Sequence, residues 1–191
     1  MATINYKIEF TSFWHTGSGL SSGTESDLVV LKDKNGLPII PGKTLKGLLR
    51  EAAEIINHFD NKLVSREFID VVFGETPDES KSGVPKEALS FFTDATLSEK
   101  IRKHLSENED LKSLLFKNIT STRIDDKGQT VDQSLRQMEA TIPLELYAQI
   151  IEFPSEYQGQ IESCFAWVKK MGLNRSRGFG RCMLQTIKSD N

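Results

Sequence analysis

Arginine and glycine residues are concentrated in one short segment of the sequence. Residues 172–181 read GLNRSRGFGR, so three glycines and three arginines share ten positions. Arginine offers planar, permanently charged donors that match phosphate, and glycine permits backbone conformations and close approaches that a Cβ forbids. We call residues 172–181 the glycine-arginine segment and predict that it binds a polyanion.

A second group of cations stands at the beginning of a predicted helix. Apolar residues recur over positions 45–56 with the i, i+3, i+4 spacing of a helix face. They are Leu45, Leu48, Leu49, Ala52, Ala53, Ile55 and Ile56. Lys43, Lys46 and Arg50 lie in the first turns of this helix, where backbone N–H groups and the helix dipole also favour an anion.

Other residues that could do chemistry match their motifs less well. His15 beside Trp14 could act as a general acid or base, or it could pack against its aromatic neighbours. Neither His58 nor His104 has zinc-ligand spacing to the cysteines. Gly36 precedes the sequence Gly42-Lys43-Thr44 by five intervening residues, where a P-loop needs four. A zinc site and an NTPase are therefore not expected.

Composition limits the class of protein. A chain of 191 residues with 38% hydrophobic content can bury a sizeable core, and we expect a single domain over residues 1–191. A formal net charge of -3 argues against binding along the whole surface, so anion binding must come from local clusters. The two cysteines, Cys164 and Cys182, favour a reducing compartment. With no signal or membrane-span pattern, a cytoplasmic protein is expected.

The order of predicted elements favours an α+β fold. Strand-like alternation at residues 4–10 is followed by the helix that continues to residue 59, a β-rich middle, a second helix, the glycine-arginine segment and a closing strand. This order fits a ferredoxin-like, RRM-like βαββαβ core with insertions. The remaining predicted elements are a core strand at 89–95, a helix at 98–116, a strand at 119–124, β structure at 138–153 broken near Pro143, a helix at 156–171 and a strand at 182–187.

Motifs at both ends of the chain resemble the RAMP superfamily of CRISPR-associated proteins. Residues 40–50 read IPGKTLKGLLR and match the signature I-P-G-[ST]-[ST]-[LI]-K-G-x-[LM]-R, with Lys43 where a small hydroxyl residue is usual. The glycine-arginine segment supplies the terminal G-x-x-x-x-x-G-x-G element, and FFTDA at 91–95 and TRID at 122–125 fall in the expected order between them. The chain is most similar to the repeating backbone subunit of type III effector complexes.

This resemblance implies a subunit that holds a CRISPR guide RNA, with a complementary target RNA, other CRISPR-associated subunits and further copies of itself as partners. A projecting thumb-like hairpin is implied, and residues 123–139 are the segment that suits it. No membrane partner is expected. The implied RNA-binding residues are Lys43, Lys46, Arg50, Arg123, Arg136, Gly172, Asn174, Arg175, Ser176, Arg177, Gly178, Gly180 and Arg181.

The resemblance also raises the possibility of catalysis. In the backbone subunit, an aspartate within a pattern like D-x-x-[VI]-x-[RK]-D supports metal-dependent cleavage of target RNA, and residues 27–33 read DLVVLKD. Asp27 is then the implied catalytic and metal-binding carboxylate, with Mg²⁺ or Mn²⁺ as the ion. Glu25 is a weaker neighbour. Three alternatives stay open: a structural role for Asp27, a metal-independent guide-processing endoribonuclease using His15, and a non-catalytic capping or scaffolding subunit.

Overall fold

A computed structural model of the chain describes residues 1–17, 28–76, 85–122, 125–129 and 135–187. Its strands and helices, in chain order, are β1 (Ala2–Phe10), α1 (Gly42–Phe59), α2 (Arg66–Phe73), β2 (Phe91–Phe92), α3 (Glu99–Ser106), α4 (Glu109–Ser113), β3 (Phe116–Ser121), β4 (Arg136–Thr141), β5 (Glu145–Phe153), α5 (Gln158–Trp167) and β6 (Cys182–Thr186).

Strand β1 is central in a four-stranded antiparallel sheet of order β2, β5, β1, β6. Alternate side chains of a strand point to opposite faces, and Tyr6, Ile8 and Phe10 are the members of β1 that are buried. Ile8 pairs with Leu146 of β5 on one side and with Leu184 of β6 on the other. The predicted alternation at residues 4–10 is confirmed.

Helices α1, α2 and α5 contribute to the same hydrophobic core as the buried face of this sheet. The predicted apolar face of α1 is confirmed, with Leu45, Leu49 and Ala53 fully buried. From α5, Phe165 stacks on Tyr6 of β1, with ring centroids 4.8 Å apart. Burial of these side chains holds α1, α5 and the sheet in one hydrophobic cluster.

Strands β3 and β4 form a separate antiparallel hairpin. Its register pairs Phe116 with Thr141 and Ser121 with Arg136. The hairpin therefore begins seven residues before the predicted segment 123–139, because paired backbone already runs from Phe116. At its base, the backbones of Trp14 and Thr141 exchange hydrogen bonds of 3.0 and 2.8 Å, which attach the hairpin to the chain that leaves β1.

The elements confirm the α+β class with antiparallel strands. Sheet strands and core helices follow the chain order β1, α1, β2, β5, α5, β6, and α2, α3, α4, β3 and β4 are inserted after α1 and β2. No helix in the described ranges has the length and apolarity needed to cross a membrane.

Three predicted elements are shorter than expected. The predicted helix at 98–116 is two helices, α3 and α4, because the Asn108 side chain accepts a hydrogen bond from the Leu111 N–H and starts a new helix. Only Phe91–Phe92 of the predicted strand 89–95 has strand pairing, since the chain then turns to form a bridge with Ile40. The predicted helix at 156–171 is α5 alone, preceded by a 3₁₀ turn.

Candidate functional site

The glycine-arginine segment lies against residues 11–15, which leave strand β1. The Gly180 N–H donates to the Phe13 carbonyl at 2.8 Å, and the Leu173 N–H donates to the His15 carbonyl at 3.0 Å. Residues 11–15 also bond to hairpin strand β4. The segment is therefore fixed at both ends to the backbone that joins the main sheet to the hairpin.

Two glycines of the segment are required by the backbone itself. At Gly180, with φ +68°, a Cβ would lie 1.9 Å from the Met171 carbonyl oxygen. At Gly172, with φ +88°, it would lie 2.4 Å from the His15 carbonyl oxygen. Both positions combine a left-handed conformation with an approach too close for any side chain. These two of the predicted RNA-binding glycines thus shape the segment.

The middle of the segment exposes cations on the surface of the protein. A short 3₁₀ turn, Arg175–Arg177, is bounded by Asn174 and Gly178, both in left-handed conformation. All three residues of the turn are exposed, as is Arg181. Within the described part of the chain no ion pair involves the arginines of this segment, and residues 168–187 contain no acidic side chain. This surface can bind an anion without first breaking a salt bridge.

Asn174 connects the segment to the hairpin. Its Nδ2 lies 3.3 Å from the Sδ of Met138 in β4. Arg136 is two residues from Met138 in the same strand, so the two side chains leave the same face of the hairpin. Leu28 also pairs with Met138 through an isolated bridge. The exposed Arg136 and the glycine-arginine segment consequently border one surface, with residue 28 at its edge.

Lys46 and Arg50 lie on the other flank of α1 from the segment. Lys46 and Arg50 are four residues apart and share a face, and Lys46 lines a cleft with Phe73 and Gly74. Arg175, by contrast, lines a cleft on the side of α1 marked by Leu48. The structure therefore brings Arg175 to α1 but does not place it beside Lys46 and Arg50.

The three α1 cations also differ in their exposure and in their contacts with other side chains. Lys43 is exposed. Arg50 donates from Nε to Glu54 Oε1 at 3.0 Å and from Nη2 to Thr76 Oγ1 at 2.6 Å, so part of its donor capacity is used. Burial, and then the neighbouring Arg50 charge, lower the pKa of Lys46. Lys43 is the member of this group best placed for an external anion.

The N-terminus of α1 already has an anionic partner within the chain. The Gly42 N–H donates to Asp94 Oδ1 at 2.8 Å. A Cβ on Gly42 would lie 2.0 Å from the Phe92 carbonyl oxygen, so the helix can start here only with glycine. The IPG and FFTDA sequences thus meet in space, with Ile40 and Ala95 joined by backbone hydrogen bonds of 3.1 and 2.8 Å. Sequence reasoning assigned this dipole to an external anion and did not identify Asp94 as its partner.

His15 has the surroundings of a structural residue. Its side chain is fully buried, and Nδ1 lies 2.7 Å from the Glu139 carbonyl oxygen. Nε2 has no hydrogen-bond partner among the described residues. A general acid or base must reach its substrate, and this imidazole has no exposed surface from which to do so.

Three of the predicted site residues cannot be compared with the structure. Asp27, Glu25 and Arg123 lie outside the described residues. In the ranges that are described, no three His, Cys, Asp or Glu side chains are grouped as ligands for a metal ion. The predicted Mg²⁺ or Mn²⁺ site therefore stays a prediction that depends on Asp27.

The sequence matches the model of one protein family over most of its length. The model of the RAMP superfamily matches residues 7–183. The chain belongs to the RAMP superfamily. The match spans both the IPG helix and the glycine-arginine segment, the two features on which the resemblance was based. No curated protein matches this RAMP sequence.

Solved structures share the fold of this RAMP chain at low sequence identity. A chain of the type III-B Cmr-β complex bound to cognate target RNA superposes with a TM-score of 0.71 at 15% identity, covering 97% of each chain. The apo state of type III-B Cmr-β gives 0.68 at 15% identity and 98% coverage of each. A type IV-B CRISPR complex gives 0.63 at 12% identity, covering 100% of this chain and 92% of the other. At these identities the similarity concerns the fold alone.

Proposed function

We propose that this RAMP protein is a guide-RNA-binding backbone subunit of a type III-like CRISPR effector complex. The observation that carries the proposal is the exposed Arg175–Arg177 turn, whose arginines have no ion pair within the described part of the chain. Guanidinium groups on an exposed turn suit the phosphates of an RNA backbone. The similar fold of a chain in a target-RNA-bound Cmr-β complex supports the same choice of ligand.

Binding is expected to follow the RNA backbone with little preference for sequence. Phosphate contacts position the nucleic acid, whereas base pairing between guide and target reads its sequence. The surface bordered by the glycine-arginine segment and Arg136 supplies positive charge for the phosphates. Lys43 contributes from the start of α1. Further copies of this chain and other CRISPR-associated subunits would continue the surface along the guide.

The salt dependence of RNA affinity tests this proposal. Each phosphate contact that is lost should reduce the slope of log affinity against log salt by about 0.7 for single-stranded RNA. The double variant Arg175→Ala/Arg177→Ala should therefore lower the slope by about 1.4 and weaken binding. Lys62→Ala/Lys103→Ala removes the same charge from exposed positions outside the segment and should leave the slope unchanged. Equal slopes for all three proteins would exclude the segment from the RNA site.

The proposal also includes cleavage of the bound target RNA, and this second part depends on Asp27. With guide and complementary RNA, we expect Mg²⁺-dependent cleavage that is lost in Asp27→Ala while RNA binding is retained. Cleavage that persists in Asp27→Ala and is lost in His15→Phe would favour the guide-processing alternative. RNA binding without cleavage in the wild-type protein would make the chain a non-catalytic capping or scaffolding subunit.

A further inference from the structure

A small cleft lies between helix α1 and the end of helix α5, beside the glycine-arginine segment. Its volume is about 140 Å³. Sites for drug-sized ligands are usually roughly 300–1,000 Å³, so this cleft suits a single ring rather than a whole cofactor. Residues of α1, Trp167 at the end of α5, the following lysines and Arg175 line it.

Trp167 gives the cleft an aromatic wall. It is the last residue of α5 and is 49% exposed, whereas the other tryptophan, Trp14, is 1% exposed. Leu48 and Ile55 of α1 form an apolar margin of the same cleft. An indole that remains half exposed beside such a margin offers a surface on which a planar ring can stack.

The charge of the cleft favours an anionic ligand. Three cations, Lys169, Lys170 and Arg175, line it against one carboxylate, Glu51. Lys169 and Lys170 are exposed and have no ion pair among the residues that the structure describes. Aromatic side chains within a positively charged groove are typical of proteins that bind single-stranded nucleic acid.

The backbone holds these cations next to the Arg175–Arg177 turn. The Lys169 carbonyl accepts from the Cys182 N–H at 3.0 Å, and the Met171 N–H donates to the Gly180 carbonyl at 2.9 Å. The chain entering the glycine-arginine segment thus pairs with the chain leaving it. Arg175 belongs both to the turn and to the cleft, so the two surfaces are continuous.

We infer that this cleft takes one base of a single-stranded RNA, stacked on Trp167, while Lys169, Lys170 and Arg175 contact the adjoining phosphates. The inference rests on the proposed RNA binding and adds to it a contact with a base. Stacking on an aromatic side chain accepts every base, because each base has a π-face. The contact is therefore compatible with a guide whose sequence varies.

Binding of oligouridylate and of an abasic ribose-phosphate oligomer of equal length tests the inference. The proteins are wild type, Trp167→Ala, Trp167→Phe and the control Phe59→Ala, which removes a 78% exposed aromatic outside the cleft. Trp167→Ala should weaken oligouridylate binding about 5- to 150-fold. Trp167→Phe should retain most of the affinity, and Phe59→Ala should match wild type. The abasic oligomer should bind wild type and Trp167→Ala equally.

Tryptophan fluorescence supplies a second measurement. Oligouridylate should quench the emission of wild type, and the quenching should disappear in Trp167→Phe because the remaining Trp14 is buried. The salt slope should be the same in Trp167→Ala as in wild type, since no charge is removed. Thermal melts establish that each variant is folded.

The outcomes separate this inference from the proposed function. If wild type binds neither oligomer, the proposed function fails and the inference fails with it. If wild type binds RNA and Trp167→Ala binds oligouridylate equally well, the inference alone is wrong. The same holds if Trp167→Ala loses affinity for both oligomers to the same extent, or if its only change is in self-association, which would make the cleft a contact between protein subunits.

Discussion

Replacing Gly180 by alanine tests whether the glycine-arginine segment owes its shape to close backbone packing. Alanine at Gly180 must adopt a left-handed conformation, which costs roughly 1–2 kcal/mol. Its Cβ would also lie 1.9 Å from the Met171 carbonyl oxygen, so the two backbones must separate. Separation weakens the 2.9 Å hydrogen bond from the Met171 N–H to the Gly180 carbonyl, and an unpaired buried group costs about 1–3 kcal/mol more.

Gly178 provides a matched control in the same segment. Its φ of +88° imposes a similar conformational cost, but a Cβ there meets nothing within 4 Å. Gly178→Ala should therefore lose roughly 1–2 kcal/mol, and Gly180→Ala about 2–5 kcal/mol. For a chain of this size each kcal/mol lowers Tm by roughly 2–4 °C. Gly47→Ala, on the open face of α1, should raise Tm slightly because alanine favours a helix.

Thermal unfolding followed by circular dichroism measures this series. From the highest Tm to the lowest, the expected order is Gly47→Ala, wild type, Gly178→Ala and Gly180→Ala. Equal losses for Gly178→Ala and Gly180→Ala would show that only backbone conformation matters and would refute the packing argument. RNA affinity, measured well below each Tm, should fall in Gly180→Ala, because the Arg175–Arg177 turn is displaced with the backbone that supports it.

Two further predictions concern the first turn of α1 and the two buried cysteines. Asp94→Ala removes the acceptor of the first backbone N–H of α1 and should lower the free energy of unfolding by about 1–2 kcal/mol, measured as a lower Tm. Asp94→Asn, which keeps an acceptor oxygen, should lower it less. An unchanged Tm for Asp94→Ala would contradict this role. Burial raises the pKa of the Cys164 and Cys182 thiols to about 12, so a thiol reagent at about pH 8 should label neither in the native protein and both after denaturation, because the thiolate is the reactive form.

The sequence predicted the elements whose side chains repeat with a clear period. Strand β1 and helix α1 were predicted because Tyr6, Ile8 and Phe10 alternate and Leu45 and its partners recur every three to four residues. The break between α3 and α4 was missed because Asn108 lies between two apolar stretches that share one helical period. Its capping hydrogen bond, not the periodicity, starts the second helix.

Long-range contacts explain what the sequence did not predict about the candidate site. The residue types of the glycine-arginine segment indicated anion binding, but nothing in the pattern showed that residues 11–15 would support its backbone. The α1 cations and the glycine-arginine segment were predicted to bind RNA together, because both groups are basic. Helical geometry separates them, since Lys46 and Arg50 leave α1 on the flank away from Arg175.

This separation changes which residues belong together at the RNA surface. Arg175 faces the flank of α1 that carries Leu48 and Ile55, and the other cations that line the cleft there are Lys169 and Lys170. If the Arg175–Arg177 turn binds phosphates, the adjoining nucleotide therefore meets Trp167 before it can reach Lys46. A double-mutant cycle between Trp167→Ala and Arg175→Ala should show coupling, as contacts to one nucleotide are not independent. A cycle between Trp167→Ala and Lys46→Ala should be additive, and coupling there instead would mean that the RNA crosses α1 by another path.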